Sequence, residues 1–299
     1  MAAKVRKAVF PVAGQGTRFL PATKVVPKEM LPIVDKPLIQ YAVEEAKEAG
    51  IEEFIFVDSR GKTMIANHFD YNPELEDALF AKGKHELLKK VQESTLPSGL
   101  AAYTRQEKAL GLGHAIWCAR KFIANEPFAV LLPDDLFFYT PNCLKQLVDE
   151  YERTGGYLLA VHDIPVEDTN KYGVLKIAKD DGLTVTAESL VEKPKPEEAP
   201  SNVAVAGRYI LSPEIFEALE KKAIGSGGEI QLTDAITSSL GKVTCTGLRF
   251  KGKRFDCGTM EGWLEANLYV GLQREDSRDL LTAYLEKLGF SRENKDSDF

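Results

Sequence analysis

Excess positive charge is missing from this 299-residue sequence: 38 Lys and Arg stand against 45 Asp and Glu, a formal net charge of −7 at pH 7. Nucleic acid and anionic membranes select basic faces, so neither fits as the main partner, and a polyanionic substrate would need locally placed cations. Cysteine and histidine are equally sparse. Cys118, Cys143, Cys245 and Cys257 show no CxxC spacing, and the four histidines form no HExxH pair, which leaves a zinc site without support. Unpaired cysteine spacing of this kind is what a reduced, cytoplasmic compartment predicts. No apolar run approaches membrane-spanning length. Met1 to Lys7 is basic, but the apolar run after it is short and ends at Pro11 and Gly14, so it predicts a buried strand rather than a signal sequence. Internal repeats are absent too.

What is present is ordinary globular composition, 44% hydrophobic and 28% charged, enough to bury a full core without staples. Short apolar β-rich runs alternate with helical patterns: strand over Lys7 to Ala13, helix over Leu38 to Ala49 with Gly50 as stop signal, strand over Glu53 to Val57. A charged helical insertion over Pro73 to Glu93 follows. Leu100 to Thr104, Leu112 to Phe122 and Phe128 to Leu132 then continue strand, helix, strand. This is the sequence form of an α/β fold with crossover helices on a mostly parallel sheet. From Gly156 strands are closely spaced, with Asp180, Asp181 and Gly182 as a hairpin turn between Gly173 to Ala178 and Thr184 to Val191. Pro194 to Ser201 reads as an exposed loop. Helices near Ile215 to Lys222 and Ile230 to Leu240 precede strands at Val243 to Phe250 and Arg254 to Cys257. Met260 to Leu288 reads as helical, and Ser291 to Phe299 as a disordered tail.

The segment AGQGTRFLPATKVVPKEMLPIVDKPLIQY, Ala13 to Tyr41, begins where the first strand should end. Gly14 and Gly16 allow a sharp turn that brings N–H groups toward an anion. A dinucleotide-binding loop would want glycine three residues after Gly16, where Phe19 stands. A Walker A loop fails as well, because Gly61 to Thr63 lacks a glycine at Phe56. The remaining pattern is a glycine turn with Thr17, Arg18, Pro27 and Lys28 in a proline-stiffened stretch. Two cations beside an anion-binding turn suit a triphosphate and departing pyrophosphate. Asp134 and Asp135 end the apolar run Phe128 to Leu132, the carboxyl edge where open α/β sheets place ligands.

Together with RQEKALGLGHA, LLPDD, KYGV, VEKPKP, EIQLTDAI and FDCGT, this segment resembles the bacterial UTP–glucose-1-phosphate uridylyltransferases, within the sugar-nucleotide pyrophosphorylase family. The resemblance covers nearly the whole chain. It implies a Rossmann-like mixed, mostly parallel sheet flanked by helices, with a smaller sugar-binding β region and C-terminal helices. The implied organisation is a nucleotidyltransferase domain over 1–258 (nucleotide half about 1–155, sugar half about 156–258), a helical region over 259–290 and a tail over 291–299.

By the same resemblance, Ala13, Gly14, Gly16 and Thr17 form the nucleotide loop, Arg18 and Lys28 meet the phosphates, and Gln106 and Gly111 read the base. An amide can meet both a carbonyl and an N–H on a uracil edge. His114 is tempting as a general base, but the attacking phosphate oxygen is already ionised, so His114 is read as structural. Asp134 and Asp256 are implied Mg²⁺ ligands, hard oxygen donors for a hard cation. For Asp135 a direct role and a capping role stay open. Gly173, Glu192 and Val205 are implied on the sugar, and Lys193 on its phosphate. Neighbouring residues on a regular strand face opposite ways, so Glu192 and Lys193 need a local bulge or twist to work together. One departure stands out: relatives carry a polar residue, then Lys-Leu-Gly, after the FDCG string, where this chain has Thr259, Met260, Glu261 and Gly262.

The implied reaction is in-line attack of glucose 1-phosphate on the α-phosphorus of UTP, giving UDP-glucose and pyrophosphate. Gln106 does not distinguish uracil from thymine, so another nucleotide or sugar stays open, as does a module that binds without turnover. The resemblance also implies a homodimer or homotetramer, with Glu261 to Leu288 either in its contacts or a solvated face.

Overall fold

The computed structural model describes residues 2–290, so the expected tail at 291–299 lies outside the described residues. Strand β1 (Lys7–Pro11) runs into a loop of short 3₁₀ turns and a minimal hairpin, β2 (Pro32–Ile33) with β3 (Lys36–Pro37), before helix α1 (Leu38–Glu48). Next come β4 (Glu53–Asp58), α2 (Thr63–Phe69), and the charged insertion, which is two helices, α3 (Pro73–Ala81) and α4 (His85–Ser94). Gly83, at φ 63°, makes the break between them, a left-handed conformation that glycine adopts without steric cost. After β5 (Ala101–Arg105), α5 (Leu112–Cys118) and α6 (Arg120–Ile123) the chain returns through β6 (Phe128–Leu131), β7 (Asp135–Phe138) and α7 (Cys143–Thr154). Asn142 caps α7, its side chain accepting from the Lys145 N–H at 2.8 Å.

The second half contributes β8 (Tyr157–Asp163), the hairpin β9 (Gly173–Asp180) and β10 (Thr184–Glu192), β11 (Val203–Leu211), α8 (Ile215–Glu220), α9 (Leu232–Ser239), β12 (Cys245–Arg249) and β13 (Lys253–Asp256). Two helices, α10 (Met260–Gln273) and α11 (Glu275–Lys287), close the described chain. They divide at Arg274, whose ψ of 136° is extended.

One nine-stranded sheet joins both halves in the order β5-β4-β1-β6-β11-β8-β12-β10-β9. Its first four strands are parallel. Beyond β6 most pairings are antiparallel, with β8 and β12 as a parallel exception. Apolar runs such as Phe54 to Val57 and Phe128 to Leu131 are buried on both faces, as crossover helices on each side require. Alternate residues feed opposite cores: Phe54 and Phe56 pack with α1 and α7, while Ile55 and Val57 pack with α5 and α8.

A third cluster positions the site. Phe19, Leu31, Ile33, Leu136, Phe255, Ala266 and Val270 pack the glycine-rich loop, the β7–β13 ribbon and α10 together. Within that ribbon Asp256 is in register with Asp135, and the Cys257 N–H donates to the Asp134 carbonyl at 2.7 Å.

Candidate active site

Gly16 turns the loop after β1 at φ 65°. A Cβ there would lie 3.0 Å from Lys28 Cβ and 3.2 Å from Thr23 Cγ2, so a side chain would crowd both in a backbone conformation that already favours glycine. The fold back over Gly14 carries Lys28 to the sheet edge, where its Nζ meets Asp134 Oδ2 at 2.5 Å. Burial alone would push the Asp134 carboxyl up, but the Lys28 ammonium holds it below the usual aspartate value. Lys28 is raised in turn: burial opposes its charge, and Asp134 and Glu29 more than offset that. Both groups are therefore ionised at neutral pH.

Asp134, Asp256 and Arg18 converge on Gly258. A Cβ at Gly258 would be 3.0 Å from Asp134 Oδ2, 3.0 Å from Asp256 Oδ1 and 3.7 Å from Arg18 Nη1. Asp256 is held from two sides, Oδ1 accepting from the Gly258 N–H at 3.0 Å and Oδ2 from the Tyr172 hydroxyl at 3.2 Å. Arg18 is exposed, with Nη1 donating to the Gly258 carbonyl at 3.3 Å. Among the described residues no group of three or more His, Cys, Asp or Glu side chains could hold a metal by itself. Two carboxylates with open space beside them do suit Mg²⁺, which keeps waters and takes phosphate oxygens alongside one or two protein ligands.

Two cavities adjoin here, each of about 280 Å³. Ala13, Gly14, Lys28, Gln106 and Gly111 line the first; Arg18, Gly173, Glu192, Lys193, Val205 and Asp256 line the second. Asp134 lines both. Of the predicted residues, Gly16 and Thr17 line neither, Thr17 standing exposed at the loop's first 3₁₀ turn.

In the first cavity Gln106 is buried, its Nε2 donating to the Gly111 carbonyl at 3.0 Å and to His114 Nδ1 at 3.1 Å. Both amide hydrogens are thus engaged inside the protein. The amide offers the cavity its oxygen alone, where the sequence suggested a donor and an acceptor. Gly111, at φ 97°, abuts Glu229 and the Ile230 backbone so closely that a Cβ would meet the Ile230 carbonyl oxygen at 2.9 Å.

In the second cavity Glu192 stands opposite Gly173 in the β9–β10 register. Its Oε2 accepts from the Thr233 hydroxyl at 3.0 Å, and its Oε1 lies 3.3 Å from Lys193 Nζ. Lys193 has φ 48°, and this left-handed turn is the departure from strand geometry that brings two adjacent side chains to one cavity. A Cβ at Gly173 would be 2.7 Å from Thr233 Cγ2 and 3.3 Å from Glu192 Oε2.

Asp135 resolves as a buried partner of Arg254, Oδ1 to Nη2 at 2.5 Å, rather than a cap or a solvated side chain. Burial, with Asp256 and Asp134 adding to it against Arg254, raises its carboxyl to about 6. Tyr172 of the KYGV string and Glu229, Gln231 and Thr233 of EIQLTDAI also line the second cavity, with no role legible in their sequence pattern. Arg254 and Gly207 carried no signal at all. Both line the second cavity and bear on Asp135, Arg254 as its ion-pair partner and Gly207 because at φ 55° a Cβ would fall on its carboxylate. The Thr259 to Gly262 departure has a structural role here: Thr259 Oγ1 caps α10 by accepting from the Gly262 N–H at 3.1 Å. Met260, where the resemblance implies a lysine, is exposed.

Comparison with known proteins places these features in a family. The nucleotidyl transferase family model matches residues 7–271. A UTP–glucose-1-phosphate uridylyltransferase of Bacillus subtilis (strain 168) is 50% identical over 285 residues, 95% of this chain and 97% of the relative. One from Komagataeibacter xylinus is 52% identical over 255 residues, 85% of this chain and 90% of the relative. Among solved structures, a UTP-bound UGPase from Acinetobacter baumannii superposes with TM-score 0.88 at 39% identity, covering 95% of this chain and 99% of that one. A UDP-glucose pyrophosphorylase complexed with UDP-glucose superposes with TM-score 0.81 at 43% identity, covering 90% of this chain and 100% of the other.

Proposed function

The chain belongs to the nucleotidyl transferase family, and from that premise we propose that it transfers the uridylyl group of UTP to glucose 1-phosphate, releasing pyrophosphate and forming UDP-glucose. The observation that carries this reading is the pair of adjoining cavities with Asp134 common to both, beside Asp256. A nucleotide in the first and a sugar phosphate in the second would meet at that shared wall, where the α-phosphorus belongs.

The first cavity takes the nucleoside, with the backbone of Ala13 and Gly14 toward the phosphates and Gln106 with Gly111 on the base. Gly16 and Thr17 shape the loop from outside the cavity. Arg18 and Lys28 neutralise the departing pyrophosphate. Glu192 accepts from sugar hydroxyls beside Gly173 and Val205, and Lys193 holds the sugar phosphate. Two polyanions must approach for in-line attack, so positioning and charge neutralisation carry the catalysis, and no covalent enzyme intermediate is needed. Asp134 and Asp256 would hold Mg²⁺, which when bound supplies positive charge at the α-phosphate oxygens. Residues 1–155 then serve as the nucleotide half, 156–258 as the sugar half and 259–290 as an appended helical region. In that region Leu264, Leu268, Leu280, Tyr284 and Leu288 are exposed, which favours a homodimer or homotetramer through α10 and α11. The four cysteines are free thiols and no described helix is long and apolar enough to cross a membrane, in keeping with a cytoplasmic enzyme acting on small molecules.

Pyrophosphate release measured across the nucleoside triphosphates, with glucose 1-phosphate and Mg²⁺, tests the reading. UTP should support turnover and EDTA should abolish it. Asp134→Asn and Lys193→Ala should each raise the barrier by roughly 2.7–4 kcal/mol, as for one lost oxyanion donor, with circular dichroism unchanged. Near wild-type turnover in either folded variant at saturating substrates would remove its assigned role.

A further inference from the structure

We infer that His114 is a positioning residue that sets the base preference of the nucleotide cavity, by fixing which end of the Gln106 amide faces the base. The inference rests on the reading of the first cavity as the nucleoside site.

The Gly111 carbonyl can only accept a hydrogen bond, so the Gln106 atom 3.0 Å from it is the amide nitrogen. The second hydrogen of that NH₂ group points at His114 Nδ1, 3.1 Å away, and Nδ1 must therefore be unprotonated, with the ring proton on Nε2. Without this acceptor the amide nitrogen would keep one partner and could pivot. With it, both hydrogens are consumed and Oε1 is the only amide atom left for a ligand. Gln106 is buried, and its main-chain N–H is anchored on the Asp58 carbonyl at 2.8 Å, so the side chain has no solvent-facing alternative.

The imidazole is itself held in the neutral state and in place. It stacks on Trp117 with ring centroids 5.7 Å apart and 22° between planes. Arg120 lies 3.4 Å and Lys222 4.2 Å from the same indole. Burial, then the charges of Lys222 and Arg120, make His114 harder to protonate than an ordinary histidine. Gly111 lines the same cavity as Gln106, and its N–H has no protein acceptor among the described residues. One cavity thus offers both an acceptor, Oε1, and a donor, the Gly111 N–H. Uracil answers with its N3–H and a neighbouring carbonyl, and thymine does the same. Cytosine held in the same register puts a lone pair at N3 against Oε1 and is opposed; only by sliding one atom along its edge could it offer N4–H₂ and N3 instead.

The test is kcat and KM for UTP and for CTP in three variants. His114→Phe keeps a ring for Trp117 but removes Nδ1; His114→Asn keeps an acceptor oxygen where Nδ1 stood; Gln106→Ala removes the reader. His114→Phe should raise KM for UTP about five- to ten-fold, the size of one net hydrogen bond, with kcat little changed, and the UTP-to-CTP ratio of kcat/KM should fall by a similar factor. His114→Asn should restore the ratio. If the phenyl variant does not fold, His114→Leu makes the same deletion. A His114→Phe ratio equal to wild type, or KM values raised alike for UTP and CTP, overturns the inference. Gln106→Ala separates the levels: if it leaves KM for UTP unchanged, the cavity does not read the base and the underlying assignment fails instead.

Discussion

Replacing Arg208 with methionine should destabilise the protein by about 3–5 kcal/mol, the cost of leaving one member of a buried ion pair without its partner. The Arg208 side chain, on the central strand β11, is fully buried. Its Nη2 meets Glu45 Oε2 at 2.8 Å and its Nε lies 3.2 and 3.1 Å from the two Glu45 oxygens. The same guanidinium donates to the carbonyls of Leu132 at 2.8 Å, Gly207 at 3.1 Å and Asp135 at 2.8 Å. Methionine matches the volume but strands the Glu45 carboxylate and leaves three carbonyls short of a donor. Against a whole-domain stability of about 5–15 kcal/mol, that is a large fraction. Leu132 and Asp135 flank Asp134, so turnover should fall before global unfolding is seen. Urea denaturation followed by circular dichroism measures the first effect and pyrophosphate release the second. The double variant Glu45→Leu with Arg208→Met removes both charges and should be more stable than Arg208→Met alone. An Arg208→Met protein within about 1 kcal/mol of wild type, below the range expected for an unpaired buried charge, would refute the reasoning.

Gly258→Ala places a methyl 3.0 Å from both Asp134 and Asp256 oxygens; turnover should drop on the order of a hundred-fold, as when one charge-stabilising contact is lost, while the thermal midpoint moves little. Stability should also depend on pH through His162, which burial first and Arg254 second push down to about 4 from 6.5. Between those values the unfolded chain binds a proton that the folded chain refuses, so stability is complete above 6.5 and declines as pH falls toward 4, by up to about 3 kcal/mol. His162→Gln should flatten that part of a denaturation-versus-pH curve; an unchanged slope would show that other groups dominate it.

Much of this architecture was legible in residue order. Phe54 to Val57 and Phe128 to Leu131 are strands because unbroken apolar runs bounded by turns can be satisfied only in a sheet covered on both faces. The Asp180, Asp181, Gly182 turn marked the β9–β10 hairpin within two residues. Other elements were not separable by pattern. Met260 to Leu288 looks like one helix, yet Arg274 turns extended and binds Asp35 and Asp276, a choice made by a long-range contact and a local one together. Asp135 carried signals for a direct role, a cap or a solvated face, and only Arg254 on the facing strand made it a buried ion-pair partner rather than a cap or a solvated group.

Local chemistry therefore settled the strands, the glycine turn at Gly16 and the emergence of Asp134 at a sheet edge, because each depends on sterics and burial within a few residues. The tertiary structure alone decided that Asp256 reaches Asp134, through the register of β13 on β7. It likewise decided that Lys193 turns back beside Glu192 and that the Gln106 amide shows its oxygen. Those outcomes depend on partners distant along the chain or on a backbone conformation imposed by packing, and residue order does not encode the direction of a side chain until its neighbours are in place.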